Sequence, residues 1–80
     1  KIYIWGTKRR SIEILQTVGI RYFVTGFIDD KSQQNSCYGH RVYSIAEIDN
    51  TDCIIIIPPV TVDHDIISWL EKNQFEYHYI

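Results

Sequence analysis

Cys53-Ile54-Ile55-Ile56-Ile57-Pro58-Pro59 sets four consecutive isoleucines before two prolines. A run this apolar can hide from water only in a strand covered on both faces, as happens inside a parallel sheet flanked by helices. The prolines then stop the ladder, since neither has an N–H to donate. Upstream, Ser44-Ile45-Ala46-Glu47 matches the Ser-x-x-Glu capping box and predicts a short helix. Arg41-Val42-Tyr43, after Gly39, reads as a brief extended piece. Downstream, Thr61 or Asp63 can cap a helix with Val62, Ile66, Trp69 and Leu70 as its buried stripe. Phe75, Tyr77 and Tyr79 then alternate with Glu76, His78 and Ile80, the period-two signature of an edge strand.

The first half of the chain repeats the theme. Ile2 to Trp5 is a second doubly covered strand, stopped by Gly6. From Ser11 onward, Ile12, Ile14, Leu15 and Val18 fall on one side of a helix that Gly19 can terminate. Tyr22 to Ile28 is rich in β-branched and aromatic residues and reads as a strand running into Asp29 and Asp30. Lys31 to Ser36 has no apolar residue, so mobility is expected there. Strands separated by helical segments require right-handed crossovers and a parallel sheet. The expected fold is therefore α/β: a small Rossmann-like three-layer sandwich with about four parallel strands in the order 2-1-3-4.

Eighty residues make one domain, residues 1–80, and a chain with no methionine that starts directly in an apolar run is expected to be a segment of a longer protein. The 45% hydrophobic and 22% charged residues suit a globular core rather than a disordered chain. A formal charge of −2 offers no broad basic surface, which argues against nucleic acid as partner. No apolar stretch approaches the roughly 18 residues of a membrane span, so a cytoplasmic location is expected. Cys37 and Cys53 form no C-x-x-C pair and are expected to be free thiols.

In an open parallel sheet, ligands bind beyond the carboxyl ends of the strands where strand order reverses. The residues delivered there are Gly6, Thr7, Lys8 and Arg9, then Asp29 and Asp30, then Pro58 and Pro59. A dinucleotide fingerprint would place glycines at positions 6, 8 and 11, but the chain has Gly6, Lys8 and Ser11. Lys8-Arg9-Arg10 stands where a helix dipole disfavours cations, so it is either an anion site or a solvated basic turn. Asp29 lies 23 residues beyond Gly6, near the roughly 20-residue separation at which a carboxylate reaches a ribose hydroxyl, although acidic residues more often end strands simply because turns favour them; Asp30 belongs to the turn. Cys37, His40, Cys53 and His64 are zinc-type side chains, but Cys53 starts the isoleucine strand and His64 lies past its other end, so no metal site is expected. Asp63-His64-Asp65 cannot face one point on a helix, and His64 with Ser68 has no orienting third group, so no catalytic residues are assigned.

Ile2-Tyr3-Ile4-Trp5-Gly6-Thr7, Gly26-Phe27-Ile28-Asp29-Asp30, Gly39-His40-Arg41-Val42-Tyr43 and the Ile54 to Ile57 run, in that order, cover nearly the whole chain. Together they resemble the Rossmann-like N-terminal domain of bacterial nucleotide-sugar (UDP-amino-sugar) acyltransferases and related polysaccharide-biosynthesis nucleotide-binding domains. The resemblance implies a domain that helps to hold a UDP-linked sugar, with catalytic parts supplied by other regions of a sugar-modifying transferase. It places Lys8 where the family's phosphate loop carries glycine.

The expectation is thus a noncatalytic nucleotide or nucleotide-sugar binding domain of a bacterial surface-glycan enzyme. UDP-sugar ranks ahead of NAD or CoA as ligand. The alternative is a degenerate Rossmann-like interaction or dimerisation module, pairing through the Tyr77 to Ile80 edge with a second copy or a neighbouring domain.

Overall fold

The computed structural model describes residues 1–17, 19–58 and 64–79. Its strands are β1 (Ile2–Trp5), β2 (Val24–Ile28), β3 (Ser36–Cys37), β4 (His40–Tyr43), β5 (Ile54–Ile57) and β6 (Glu76–Tyr79), and its α-helices are α1 (Arg9–Leu15) and α2 (His64–Lys72). All six strands join one mixed sheet in the order β3-β4-β2-β1-β5-β6. Every pairing is parallel except β3 with β4. The expected four-stranded 2-1-3-4 sheet is corrected by the segment between β2 and β5. His40–Tyr43 pairs alongside β2, and Ser36–Cys37 folds back on it through a tight turn.

Alternation along the strands divides the core into two layers. On one face, Tyr3, Ile28, Ile48, Cys53, Ile55, Ile57 and Leu70 form a cluster against which Ile66 and Ile67 of α2 pack. On the other, Ile4, Val24, Phe27 and Cys37 pack with Ile14 and Leu15 of α1. Ile4, Phe27, Ile28, Ile55 and Leu70 are fully buried. Cys37 and Cys53 are free thiols on opposite faces, and burial raises both above the ordinary thiol range. Among the described residues no helix is long and apolar enough to cross a membrane.

Several local expectations change. The α1 helix ends at Leu15 and is followed by a 3-10 turn at Ile20–Tyr22, which Gly19 enters with φ 88°. The strand expected from Tyr22 begins only at Val24, because Tyr22 and Phe23 stand 75% and 70% exposed at its foot. Trp69, placed in the buried stripe, is 43% exposed and stacks on Phe75 at 5.7 Å. Ser36 joins β3 instead of the polar loop. The Ser44 capping box is present, with the Ser44 N–H donating to Glu47 Oε2 at 2.8 Å, although it opens a 3-10 turn, Ile45–Glu47. The β6 strand lies at the sheet edge, as its alternation predicts. Thr61, Val62, Asp63 and Ile80 lie outside the described residues, as does Val18.

A close backbone approach at Gly26 and a left-handed turn at Tyr38-Gly39 make the β2–β4–β3 extension feasible. Gly26 packs so closely against β4 that an added Cβ would overlap the Arg41 carbonyl oxygen and come within 2.7 Å of the Tyr43 ring. The space it leaves is filled by Tyr43, which meets the Tyr3 ring edge-on at 5.4 Å and carries the Arg41 guanidinium over its own ring at 4.6 Å. The β3–β4 turn needs positive φ at both central residues, and Tyr38 (49°) and Gly39 (80°) supply it. Glycine bears this freely, whereas tyrosine does so against its Cβ.

Gly26→Ala should therefore destabilise the domain by about 2 to 3 kcal/mol in urea unfolding, because backbone obstructs the new methyl. Tyr38→Asn should raise stability by about 1 kcal/mol by placing in the turn a residue that tolerates left-handed backbone. The Tyr77 phenol donates to Glu71, a bond that pushes its pKa up from 10.0 to about 12. The folded state holds this proton more tightly than the unfolded state, so the bond's contribution is fully present below pH 10 and is lost between pH 10 and about 12. NMR titration of the Tyr77 ring should show the late step, and Glu71→Gln should move it earlier.

Candidate functional site

The carboxyl ends of β1 and β2 lie side by side because the two strands run parallel, with Trp5 level with Ile28. Gly6 leaves β1 with φ 84° while its N–H still donates to the Ile28 carbonyl at 2.7 Å. That left-handed step turns the chain toward α1. Ser11, 3% exposed, then donates its hydroxyl to the Trp5 carbonyl at 2.7 Å, satisfying the last acceptor of β1 and fixing the helix against the strand. A Cβ on Gly6 would meet this hydroxyl at 3.3 Å.

Thr7 donates its hydroxyl to Asp29 Oδ2 at 2.8 Å, tying the loop after β1 to the loop after β2. The other carboxylate oxygen accepts the Lys31 N–H at 3.1 Å, and the Ser32 hydroxyl accepts the Gln34 N–H at 3.1 Å. These turns bend the polar segment back over the sheet edge. Between the two loops opens a cleft of ≈ 430 Å³ lined by Thr7, Lys8, Asp29, Lys31, Ser32, Gln33 and Gln34. Its size is within the range of small-ligand pockets, but its wall is polar. Neither Lys8 nor Lys31 has an ion-pair partner among the described residues. The lining thus combines two lysines with a carboxylate held by two hydrogen bonds, two hydroxyls and two amides. Such a set can bind a molecule that carries both negative charge and hydroxyl groups.

Of the residues that the sequence places at this edge, the structure brings Thr7, Lys8 and Asp29 into one cleft, with Gly6 turning the chain into it. Arg9 and Asp30 are engaged elsewhere, as is Arg10 of the basic run. Arg9 is 90% exposed along its side chain and pairs with Glu13 at 3.1 Å; Arg10 pairs with the same carboxylate at 3.1 Å. The basic cluster is thereby divided, and Glu13 is held below the usual carboxylate range chiefly by Arg10. Asp30 accepts the Ile45 N–H at 2.8 Å and so joins the loop after β2 to the turn after β4. Pro58 is buried after β5, and Pro59 lies outside the described residues. The cleft therefore sits over β1 and β2 rather than between β1 and β5, where strand order reverses.

Lys31, Ser32, Gln33 and Gln34 were not among the expected site residues, since a stretch without apolar side chains reads as a loop with nothing to pack. The available signal was position: the segment follows the carboxyl end of an interior strand directly. Comparison with known proteins gave no matching family model, no matching curated protein and no matching solved structure.

Proposed function

We propose that this chain is a Rossmann-like nucleotide- or nucleotide-sugar-binding domain of a bacterial surface-polysaccharide biosynthesis enzyme, with no catalytic residues of its own. The observation that carries the reading is the cleft at the carboxyl ends of two parallel strands, lined by Lys8, Lys31 and an Asp29 already oriented by Thr7. In this reading the two ammonium groups take the diphosphate as point charges, and Asp29 accepts from the ribose hydroxyls. Ser32, Gln33 and Gln34 offer both donors and acceptors, which suits the hydroxyls of a sugar.

A UDP-sugar suits this wall better than NAD. The dinucleotide loop needs a second glycine so that backbone can approach the pyrophosphate, and Lys8 stands at that position. A side-chain charge can reach a diphosphate lying farther from the backbone. The helix dipole contributes little, because α1 spans only seven residues.

Thermal unfolding with UDP-N-acetyl sugars, NAD and CoA tests the proposal. Ligand at 100 times its dissociation constant adds about 2.7 kcal/mol, which raises the Tm of so small a domain by on the order of 10 °C. The expected result is such a shift with a UDP-sugar, lost in the Lys8→Ala/Lys31→Ala variant and much reduced in Asp29→Asn. No shift with any of the three ligand classes would overturn it.

A further inference from the structure

We infer that the outer edge of β6 docks a second copy of this chain, in antiparallel register about a two-fold axis through Tyr77. The sheet has two edges, and they are built differently. At one end β3 is only two residues long, a short strand that offers little to pair with. At the other, β6 runs for four residues in unbroken register, Ile54 level with Glu76 through Ile57 level with Tyr79, and no described strand pairs with its outer side. It carries no proline, no lysine and no bulge of the kind that keeps an edge from pairing. The neighbouring β5, with Ile55 and Ile57 buried, supports it from behind.

The side chains select the occupant. Glu76 and His78 share one face of β6 and meet within the chain at 3.2 Å, with side chains 58% and 63% exposed. An antiparallel copy centred on Tyr77 puts each Glu76 opposite the other copy's His78, so the axis creates two complementary pairs from one sequence. On the opposite face, Tyr77 meets its own counterpart, and Tyr79 falls opposite the other copy's Phe75. That face is already aromatic: Tyr77 and Tyr79 meet edge-on at 5.8 Å, and Trp69 stacks on Phe75. Tyr79 and Trp69 remain 49% and 43% exposed in the single chain. Backbone groups, charges and rings are thus all self-complementary in one register, which is the condition for an isologous contact. The surface is separate from the Thr7–Asp29 cleft and does not depend on a ligand there.

Light-scattering mass measured from micromolar to millimolar chain concentration tests this, with circular dichroism confirming the fold of each variant. The wild-type chain should pass from monomer to dimer. Glu76→Lys sets two cations opposite the His78 side chains and should raise the dimer dissociation constant about tenfold, and Glu76→Lys with His78→Glu should restore it. Lys8→Ala/Lys31→Ala should leave the dimer unchanged. A wild-type chain that stays monomeric throughout overturns the inference. So does a dimer that is indifferent to Glu76→Lys, or one that the double exchange fails to restore.

Discussion

Covering both faces of two short apolar strands is the constraint on which the rest of this structure depends. Ile2–Trp5 and Ile54–Ile57 pair directly and in parallel, and neither has a face polar enough to meet water alone. A parallel pair cannot be closed by a tight turn, so the intervening chain must cross over and bring covering material with it. The α1 side chains Ile14 and Leu15 cover one layer, and Leu70 of α2 helps to cover the other. Once the strands share a direction, their carboxyl ends share an edge, and the loops that leave them must meet there. The Thr7–Asp29 bond follows from that constraint.

The same requirement explains what the site is made of. Residues inside the sheet are committed to packing, leaving polar chemistry to the loops at the strand ends. Gly6 and Ser11 act as a hinge and a clasp: one turns the backbone, and the other closes the last carbonyl of β1 with a buried hydroxyl. Asp29 and Asp30 are adjacent in sequence, yet their carboxylates serve different loops, one held by Thr7 and Lys31 and the other by Ile45. The paired acids therefore work as separate fasteners, and only the first faces the cleft.

What was legible in the sequence follows from which residues carry one-sided information. Four isoleucines before two prolines admit few environments, and the alternation at Glu76–Tyr79 has one natural place, at an edge. The capping box at Ser44 was legible because it is a local hydrogen-bond pattern. The strands β3 and β4 were harder to read. Ser36–Cys37 is too short to show a period, and its pairing depends on a turn at Tyr38-Gly39 that tyrosine does not advertise. The basic run at residues 8–10 could not be apportioned from sequence, since Glu13 takes both arginines only once the helix brings the three together. The cleft was half legible: strand ends mark its floor, whereas its wall is a polar loop whose course depends on hydrogen bonds that Asp29 and Ser32 accept from Lys31 and Gln34.

The most direct measurement of the central claim is the set of interstrand proton contacts in a nuclear Overhauser spectrum of the labelled chain. Parallel alignment places Ile2 beside Ile54 and Ile4 beside Ile56, with Ile4 also beside Phe27 on the other flank. Contacts in that ascending register are the predicted result. A descending register, with Ile2 beside Ile57 and Ile4 beside Ile55, would contradict the account, because β1 and β5 would then run antiparallel and the loops that leave them would lie at opposite edges of the sheet.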